Sequence, residues 1–275
     1  MKQGSIEQVR KFWDSRPCNI RHSVKPIGTL EYFEEVRQRK YFIEPHIKDF
    51  ADFKKWGDKE VLEIGCGVGT DTTEFAINGA TITAIDISSK SVALTKQRLA
   101  IYGLAGNILV ANTEKLSDVI PPKPYALIYS FGVIHHTPHP DNVLKELIKY
   151  CSPNTELRIM LYSKWSWKVM WIILTYGHGK FWQWKNLVAD YSEANYGSPV
   201  TYVYSKKGVK DIFERNGFDV IDIKKEHIFP YEIGEYVKYN YVKMWYFRIM
   251  PKIVFRFLEK VLGWHLLITA RPSRD

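Results

Sequence analysis

Cysteine is scarce in this chain: Cys18, Cys66 and Cys151 stand far apart among 275 residues. Three widely spaced thiols make no disulfide framework, and no C-x-x-C pair offers metal-ligand spacing. H-E-x-x-H is also absent, so no metal site is expected. Long apolar runs are missing too. The longest, near residues 169–174, falls far short of the roughly 20 residues that span a bilayer. The residues after Met1 are polar, without the apolar core of a signal peptide. Together these absences lead to the expectation of a reduced, cytoplasmic setting. No repeat, low-complexity tract or flexible linker divides the chain, and no charge-dense tail points to disorder. This length suits one or two domains with a sizeable core.

Acidic residues are the minority sign. The net charge is +9, and residues 163–275 carry 18 Lys and Arg against 11 Asp and Glu, a net of +7. Seven of the nine Trp lie in the same part. A basic, aromatic C-terminal part suits an anionic, flat or lipidic partner, or else a solvated basic face beside an aromatic core.

What is present is a glycine-rich turn. The apolar run Val61-Leu62-Glu63-Ile64 ends in Gly65-Cys66-Gly67-Val68-Gly69, and a helical pattern follows from Thr70. Strand, tight turn and helix N-terminus let backbone approach a ligand closely and offer unpaired N–H groups. The dinucleotide fingerprint G-x-G-x-x-G is not matched, because Thr70 stands at its third glycine. Glu63 would repel a pyrophosphate but attract an ammonium group. A second apolar strand, residues 81–85, ends in Asp86, about 20 residues past the turn, where an acid can accept from both ribose hydroxyls. Asp86 therefore speaks for an adenosine ligand, with a helix cap as the plainer alternative.

Further along the chain, strands are expected at residues 60–64, 81–85, 107–111, 125–130, 157–161, 218–223 and 264–270. Helices are expected at residues 30–43, from Pro45 to Gly57, and at 70–78, 90–102, 141–150 and 206–216, the last capped by Ser205. Residues 6–29 look irregular. The alternation implies a doubly wound α/β fold with a parallel sheet. The organisation reads as an N-terminal helical lid (1–57), a ligand-binding core (58–162), and cap insertions with the last strands (163–275) in the same domain.

E-x-G-x-G-x-G at residues 63–69 resembles motif I of the class I S-adenosylmethionine (SAM)-dependent methyltransferases. Ser130-Phe131-Gly132-Val133-Ile134-His135-His136, followed by Thr137-Pro138-His139-Pro140-Asp141, resembles the segment after strand four in their ubiquinone-methyltransferase-like (type 11/12) branch. The resemblance covers roughly residues 58–162. It implies a Rossmann-like seven-stranded sheet with N-terminal helices and C-terminal cap insertions. It also implies SAM as cofactor, with S-adenosylhomocysteine (SAH) as product. On its pattern Glu63 faces the amino-acid end of SAM, beside Gly65, Cys66, Gly67 and Gly69. Asp86 and Ile87 meet the ribose. Asn112, Thr113 and Glu114 hold adenine, although the family commonly has Asp where Asn112 stands. Ser130 and Phe131 line the methionine part.

Methyl transfer from a sulfonium is an in-line displacement that mostly needs positioning and exclusion of water. His135 and His136 are the candidate bases where an acceptor proton must leave, or else structural hydrogen-bonding groups. Cys66 reads as a small filler beside the ligand, and His139 as a surface residue. Tyr191, Glu193, Asn195 and Tyr196 read either as a grip on an acceptor or as a turn before Ser198-Pro199. The expected acceptor is small or lipid-linked and anionic, methylated on O or N. A peripheral contact with the inner membrane face is the companion reading. The Asn/Asp-Pro-Pro-aromatic tetrad of base methylation is absent after strand four, which weighs against nucleic acid. An RNA-directed enzyme, or a SAM-binding regulatory protein without turnover, are the alternatives. Oligomeric state is not legible in the sequence.

Overall fold

Alternating burial builds the sheet of the computed structural model, which describes residues 4–179, 181–192 and 198–274. In strand β1 (Glu60–Ile64), Val61 packs to one face and Leu62 and Ile64 to the other, the period of two that a strand imposes. β2 (Thr81–Asp86), β3 (Asn107–Val110), β4 (Leu127–Phe131) and β5 (Glu156–Tyr162) run parallel to it. β6 (Phe218–Glu226) and β7 (His265–Pro272) complete seven strands in the order β3-β2-β1-β4-β5-β7-β6.

The sheet is mixed, not wholly parallel as the alternation implies. β7 runs antiparallel to both β5 and β6. Its direction follows from its connection: the chain leaves β6 at one edge and returns at that edge, so Glu226 pairs with His265. A return to the same edge forces antiparallel pairing, whereas a parallel strand needs a crossover.

Helices cover both faces. α1 (Ile6–Ser15), α2 (Leu30–Ile43) and α3 (His46–Ala51) precede β1. α4 (Thr70–Ile77) and α5 (Ser89–Ile101) follow β1 and β2, and α6 (Pro140–Leu147) follows β4. One core joins Leu62, Ile128 and Ile159 to α6 through Val143 and Leu147. The other joins Val61, Ala84 and Tyr129 to Phe53, Trp56 and Phe75. α7 (Trp167–Tyr176), α8 (Trp184–Tyr191) and α9 (Lys206–Glu214) lie between β5 and β6. α10 (Ile233–Tyr236), α11 (Trp245–Ile249) and α12 (Lys252–Leu262) fill the β6–β7 connection. Among the described residues no helix is long and apolar enough to cross a membrane.

Two local expectations change. Residues 6–15 are helical rather than irregular. Ser5 accepts from the Gln8 amide while Gln8 accepts from the Ser5 amide, a capping box that offsets the turn formers further on. The helix expected from Pro45 to Gly57 breaks at Asp52, whose φ of 48° is left-handed, and a 3-10 turn (Phe53–Trp56) carries the chain to Gly57.

Arg98 ties the helices to the glycine turn. Fully buried, it donates to the carbonyls of Val68 (3.3 Å) and Phe33 (3.1 Å) and to the Thr70 hydroxyl (2.9 Å). Arg98→Met would leave these acceptors unsatisfied, a cost on the order of 2–4 kcal/mol. Urea unfolding should show that loss, and calorimetry a weaker hold on cofactor, because Val68 and Thr70 line its cavity.

Candidate active site

The carboxyl ends of β1, β2, β3 and β4 open onto one cavity, where ligands of open α/β sheets bind. Its walls include Glu63, Gly65, Cys66 and Gly67 from the first strand end, Asp86 and Ile87 from the second, Asn112 and Thr113 from the third, and Phe131 from the fourth. The turn after β1 is held by Gly65 and Cys66 amides that both donate to Ile85 O (2.7 and 2.9 Å). Gly65 takes φ 83°, and a Cβ there would meet Val133 Cγ2 at 2.1 Å. Only glycine fits such a contact without displacing the fourth strand end.

Asp86 reaches across to this turn. One carboxylate oxygen accepts from the Gly67 amide (2.9 Å) and the other from the Ser88 amide (2.8 Å). Burial pushes its pKa up to about 6, although the two amides pull the other way. It is therefore largely ionised at neutral pH, with lone pairs left for ribose hydroxyls. The side-chain cap of α5 is Ser88, so Asp86 is not spent on that role.

Glu63 is buried at the foot of the cavity and accepts from Thr72 Oγ1 (2.5 Å). Burial, then the nearby Asp71 charge, pushes its carboxyl up to about 8. Asp71 is itself buried and surrounded by donors: Lys40 Nζ (2.8 Å), Tyr41 OH (2.9 Å) and Tyr129 OH (2.9 Å). Burial would lower the Lys40 pKa, but the Asp71 carboxylate more than offsets it and the net shift is upward. Lys40 and Asp71 both line the cavity. Sequence reasoning missed them, because Lys40 lies on a helix before the motif and Asp71 reads as an ordinary first-turn acid. The wall thus carries acids and a cation side by side, a setting for a zwitterionic amino-acid end.

The remaining expected residues divide. Asn112 Oδ1 accepts from the Glu114 amide (3.0 Å) and caps a short 3-10 turn, keeping its place in the wall. Glu114 instead accepts from the His139 amide (2.8 Å), and Ser130 is fully buried; neither lines the cavity. Gly69 packs towards Thr95 on α5, also off the wall. His136 lines the cavity, with Nδ1 donating to Val200 O (2.8 Å) and its ring 5.4 Å from Trp13. His135 points inward, its ring 3.7 Å from that of Tyr162, and burial holds its pKa well below the usual value. Cys66 is buried and its thiol pKa is pushed up by that burial, as suits a filler. Ile6, Val9, Trp13, Cys18 and Asn19 bring the N-terminal arm over the same cavity. Glu193, Asn195 and Tyr196 lie outside the described residues, and Tyr191 stacks on Tyr176 at 3.9 Å.

A family model described as a methyltransferase domain matches residues 35–223, well over half of the chain. The chain belongs to this family, the class I SAM-dependent methyltransferases. A ubiquinone biosynthesis O-methyltransferase of Dechloromonas aromatica (strain RCB) is 26% identical over 99 residues, covering 36% of this chain and 42% of the relative. An uncharacterized protein of Synechococcus sp. is 33% identical over 110 residues, covering 39% and 26%. The chain thus spans less than half the length of these two relatives. Among solved structures, magnesium protoporphyrin IX methyltransferase of Synechocystis PCC 6803 with bound SAH gives a TM-score of 0.59 at 13% identity, covering 99% of this chain and 100% of that one. At that identity the likeness is one of fold. The cofactor of this methyltransferase is SAM, with SAH as product. The cavity fits it, with a buried acid for an ammonium, a second acid for vicinal hydroxyls, and Asn112 and Thr113 beyond.

A second cavity opens within the C-terminal cap of the methyltransferase. Trp167, Lys168, Trp171, Phe229, Met244 and Trp264 are among its lining residues, as is His227. Rings connect it to the first: Trp264 stacks on Tyr162 (4.1 Å), and Tyr162 meets His136 edge-on (5.5 Å).

An ammonium of SAM paired with Glu63 would make binding proton-linked, because burial raises the Glu63 pKa to about 8. Below pH 8 the free chain holds Glu63 protonated, and pairing with an ammonium requires it to ionise. At pH 7 roughly one proton should therefore be released per SAM bound, with affinity rising towards pH 8. Calorimetry in buffers of different ionisation enthalpy measures this, and Glu63→Gln should remove the release while weakening binding. The same raised pKa stabilises the SAM-free chain below the unfolded value of about 4.5, and that contribution is lost as pH rises through 8. Thermal melts of the free chain should fall between pH 6 and pH 9, less so in Glu63→Gln.

Proposed function

We propose that this chain transfers the methyl group of SAM to an oxygen or nitrogen of a small or lipid-linked, anionic acceptor seated in the aromatic cavity of the cap. The observation that carries this reading is that cavity: apolar and aromatic, joined to the cofactor wall by ring-to-ring contacts, with Lys168 among its lining residues. Few polar groups amid aromatic walls are what a selective small-molecule site needs. Lys168 Nζ lies 4.8 Å from the Trp264 ring centre and donates to Ser192 O (2.5 Å), which fixes its ammonium within the cap.

In this reading Glu63 holds the ammonium of the cofactor, Lys40 faces its carboxylate, Asp86 takes the ribose, and Asn112 and Thr113 take adenine. Bound SAM supplies an electrophilic methyl group on a sulfonium. The protein positions the acceptor, and α1 with Trp13 closes over the cavity as a lid that keeps water out. His136 is the better placed of the two histidines to take an acceptor proton, since it lines the cavity and His135 does not. Its Nδ1 donates to Val200 O, which fixes the orientation of the ring in the wall. His136→Ala should lower kcat by about 10²–10³-fold where the acceptor arrives protonated. His135→Ala should act mainly on stability.

A lipid-linked acceptor is favoured by the surface of α11 and α12. Trp245, Ile249, Ile253, Phe257 and Val261 recur every four residues and are all exposed, Ile253 at 81%. Arg248, Lys252, Arg256 and Lys260 accompany them, also exposed. An apolar stripe with cations suits the surface of an anionic bilayer. Lys243, Arg248 and Lys252 are exposed and do not line the cap cavity, so they serve such a contact better than acceptor recognition.

Isotopically labelled SAM incubated with the protein and cell extract tests the function. Label should enter an acidic, solvent-extractable compound, and Lys168→Met should raise the acceptor KM at least tenfold with SAM affinity unchanged. Label in RNA would overturn the reading. Separately, Ile253→Asp with Phe257→Asp should abolish sedimentation with anionic vesicles while leaving SAM binding intact.

A further inference from the structure

One side chain behind the cofactor cavity, four residues from three separate parts of the chain meet. Glu44 is the C-cap of α2, and His46 opens α3. His265 opens β7, paired with Glu226 at the end of β6, so the next residue, His227, arrives beside it. The His227 and His265 rings stack with centres 4.6 Å apart. His265 Nε2 lies 3.6 Å from Glu44 Oε1, and His265 Nδ1 lies 2.9 Å from His46 Nε2. One ligand atom from each of Glu44, His227 and His265 lies within 4.8 Å of the other two.

We propose that Glu44, His227 and His265 form a binding site for one divalent transition-metal ion of the zinc class, with His46 as its positioning residue. Two imidazoles and one carboxylate are borderline donors that suit such ions, whereas magnesium and calcium call for oxygen ligands throughout. Zinc bonds of about 2.0–2.2 Å put tetrahedral donors roughly 3.3 Å apart. The Glu44–His265 pair is already close to that, and His227, whose donor lies within 4.8 Å, completes the set by turning out of its stack on His265. With His265 Nε2 towards the ion, Nδ1 carries the proton and donates to His46 Nε2. That bond fixes tautomer and ring direction, as partners behind metal-bound histidines do. His227 also holds a left-handed backbone at φ 74°, a conformation few non-glycine residues adopt.

Three protein ligands leave a position open. His227 belongs to the wall of the cap cavity, and Phe131 of the cofactor cavity packs against His265 (5.4 Å) and His46 (6.1 Å). The ion therefore lies between the two cavities. If the chain acts on the acceptor proposed above, the open position receives an oxygen of that anion and holds it towards the methyl donor. The site itself stands on the four side chains alone.

The test uses the full chain and needs no acceptor. Purified protein, stripped with chelator and titrated with Zn²⁺, should bind about one ion by calorimetry. Co²⁺ should give the visible absorption bands of a four- or five-coordinate nitrogen and oxygen site. Mg²⁺ should neither bind there nor displace Co²⁺. His227→Ala and Glu44→Gln should each weaken Zn²⁺ at least tenfold. His46→Asn should weaken it about 10–100-fold while keeping the Co²⁺ spectrum. None of these residues lines the cofactor cavity, so unchanged SAM affinity certifies the fold of each variant. Absence of Zn²⁺ binding, or binding indifferent to His227→Ala and Glu44→Gln, would overturn the proposal and leave a neutral hydrogen-bonded cluster. A failed acceptor assay with intact Zn²⁺ binding would count against the function alone.

Discussion

A carboxylate removed from water is the constraint on which the cofactor half depends. Glu63 ends β1 in the interior, where its charge is costly until a cation arrives. The surroundings are arranged around that cost. Thr72 gives Glu63 one hydrogen bond, and Asp71 next to it takes Lys40, Tyr41 and Tyr129, so a buried acid is matched by donors from α2 and β4. The glycine turn lets the second acid, Asp86, bond to the Gly67 amide, joining the first two strand ends. Arg98 then holds the outer side of the turn to the N-terminal helices. Preorganised polar groups in a dry cavity interact strongly with a charged ligand because little reorganisation remains when it binds.

Much of this half was legible because its signals are local. Strand periodicity, the glycines and Asp86 each lie within a few residues of what they specify, and Glu60–Ile64 forms the expected strand. A cap residue placed one helix well: Ser205 does cap α9, as Ser88 caps α5. The capping box at Ser5 and Gln8 was equally local, but the turn formers after Trp13 obscured it.

What escaped is non-local. Lys40 meets Asp71 only once α2 has packed against α4, and nothing in the spacing of the two foretells it. Glu44, His46, His227 and His265 likewise come from separated segments, so a search for compact ligand motifs passes over them. The direction of β7 is of the same kind. It depends on where the chain re-enters the sheet, which composition between residues 227 and 264 does not reveal. His135 and His136 make the same point at short range. They are adjacent in sequence, yet one faces the cavity and the other stacks beneath Tyr162.

The pairing of Glu226 with His265 has a consequence for how this protein can change. The β6–β7 segment leaves and re-enters the sheet at neighbouring positions, so its ends are clamped by the ladder whatever lies between. Loop closure grows only slowly with length, so the ladder tolerates a long segment there, whose Tyr236 carbonyl takes the Arg39 guanidinium (2.6 Å) and whose Tyr239 hydroxyl donates to Arg21 O (2.8 Å). The glycine-turn half of the sheet and the β6–β7 segment are thus joined like a handle and a head. New acceptors could be accommodated by rewriting residues between two fixed anchor points, with the donor site left as it is.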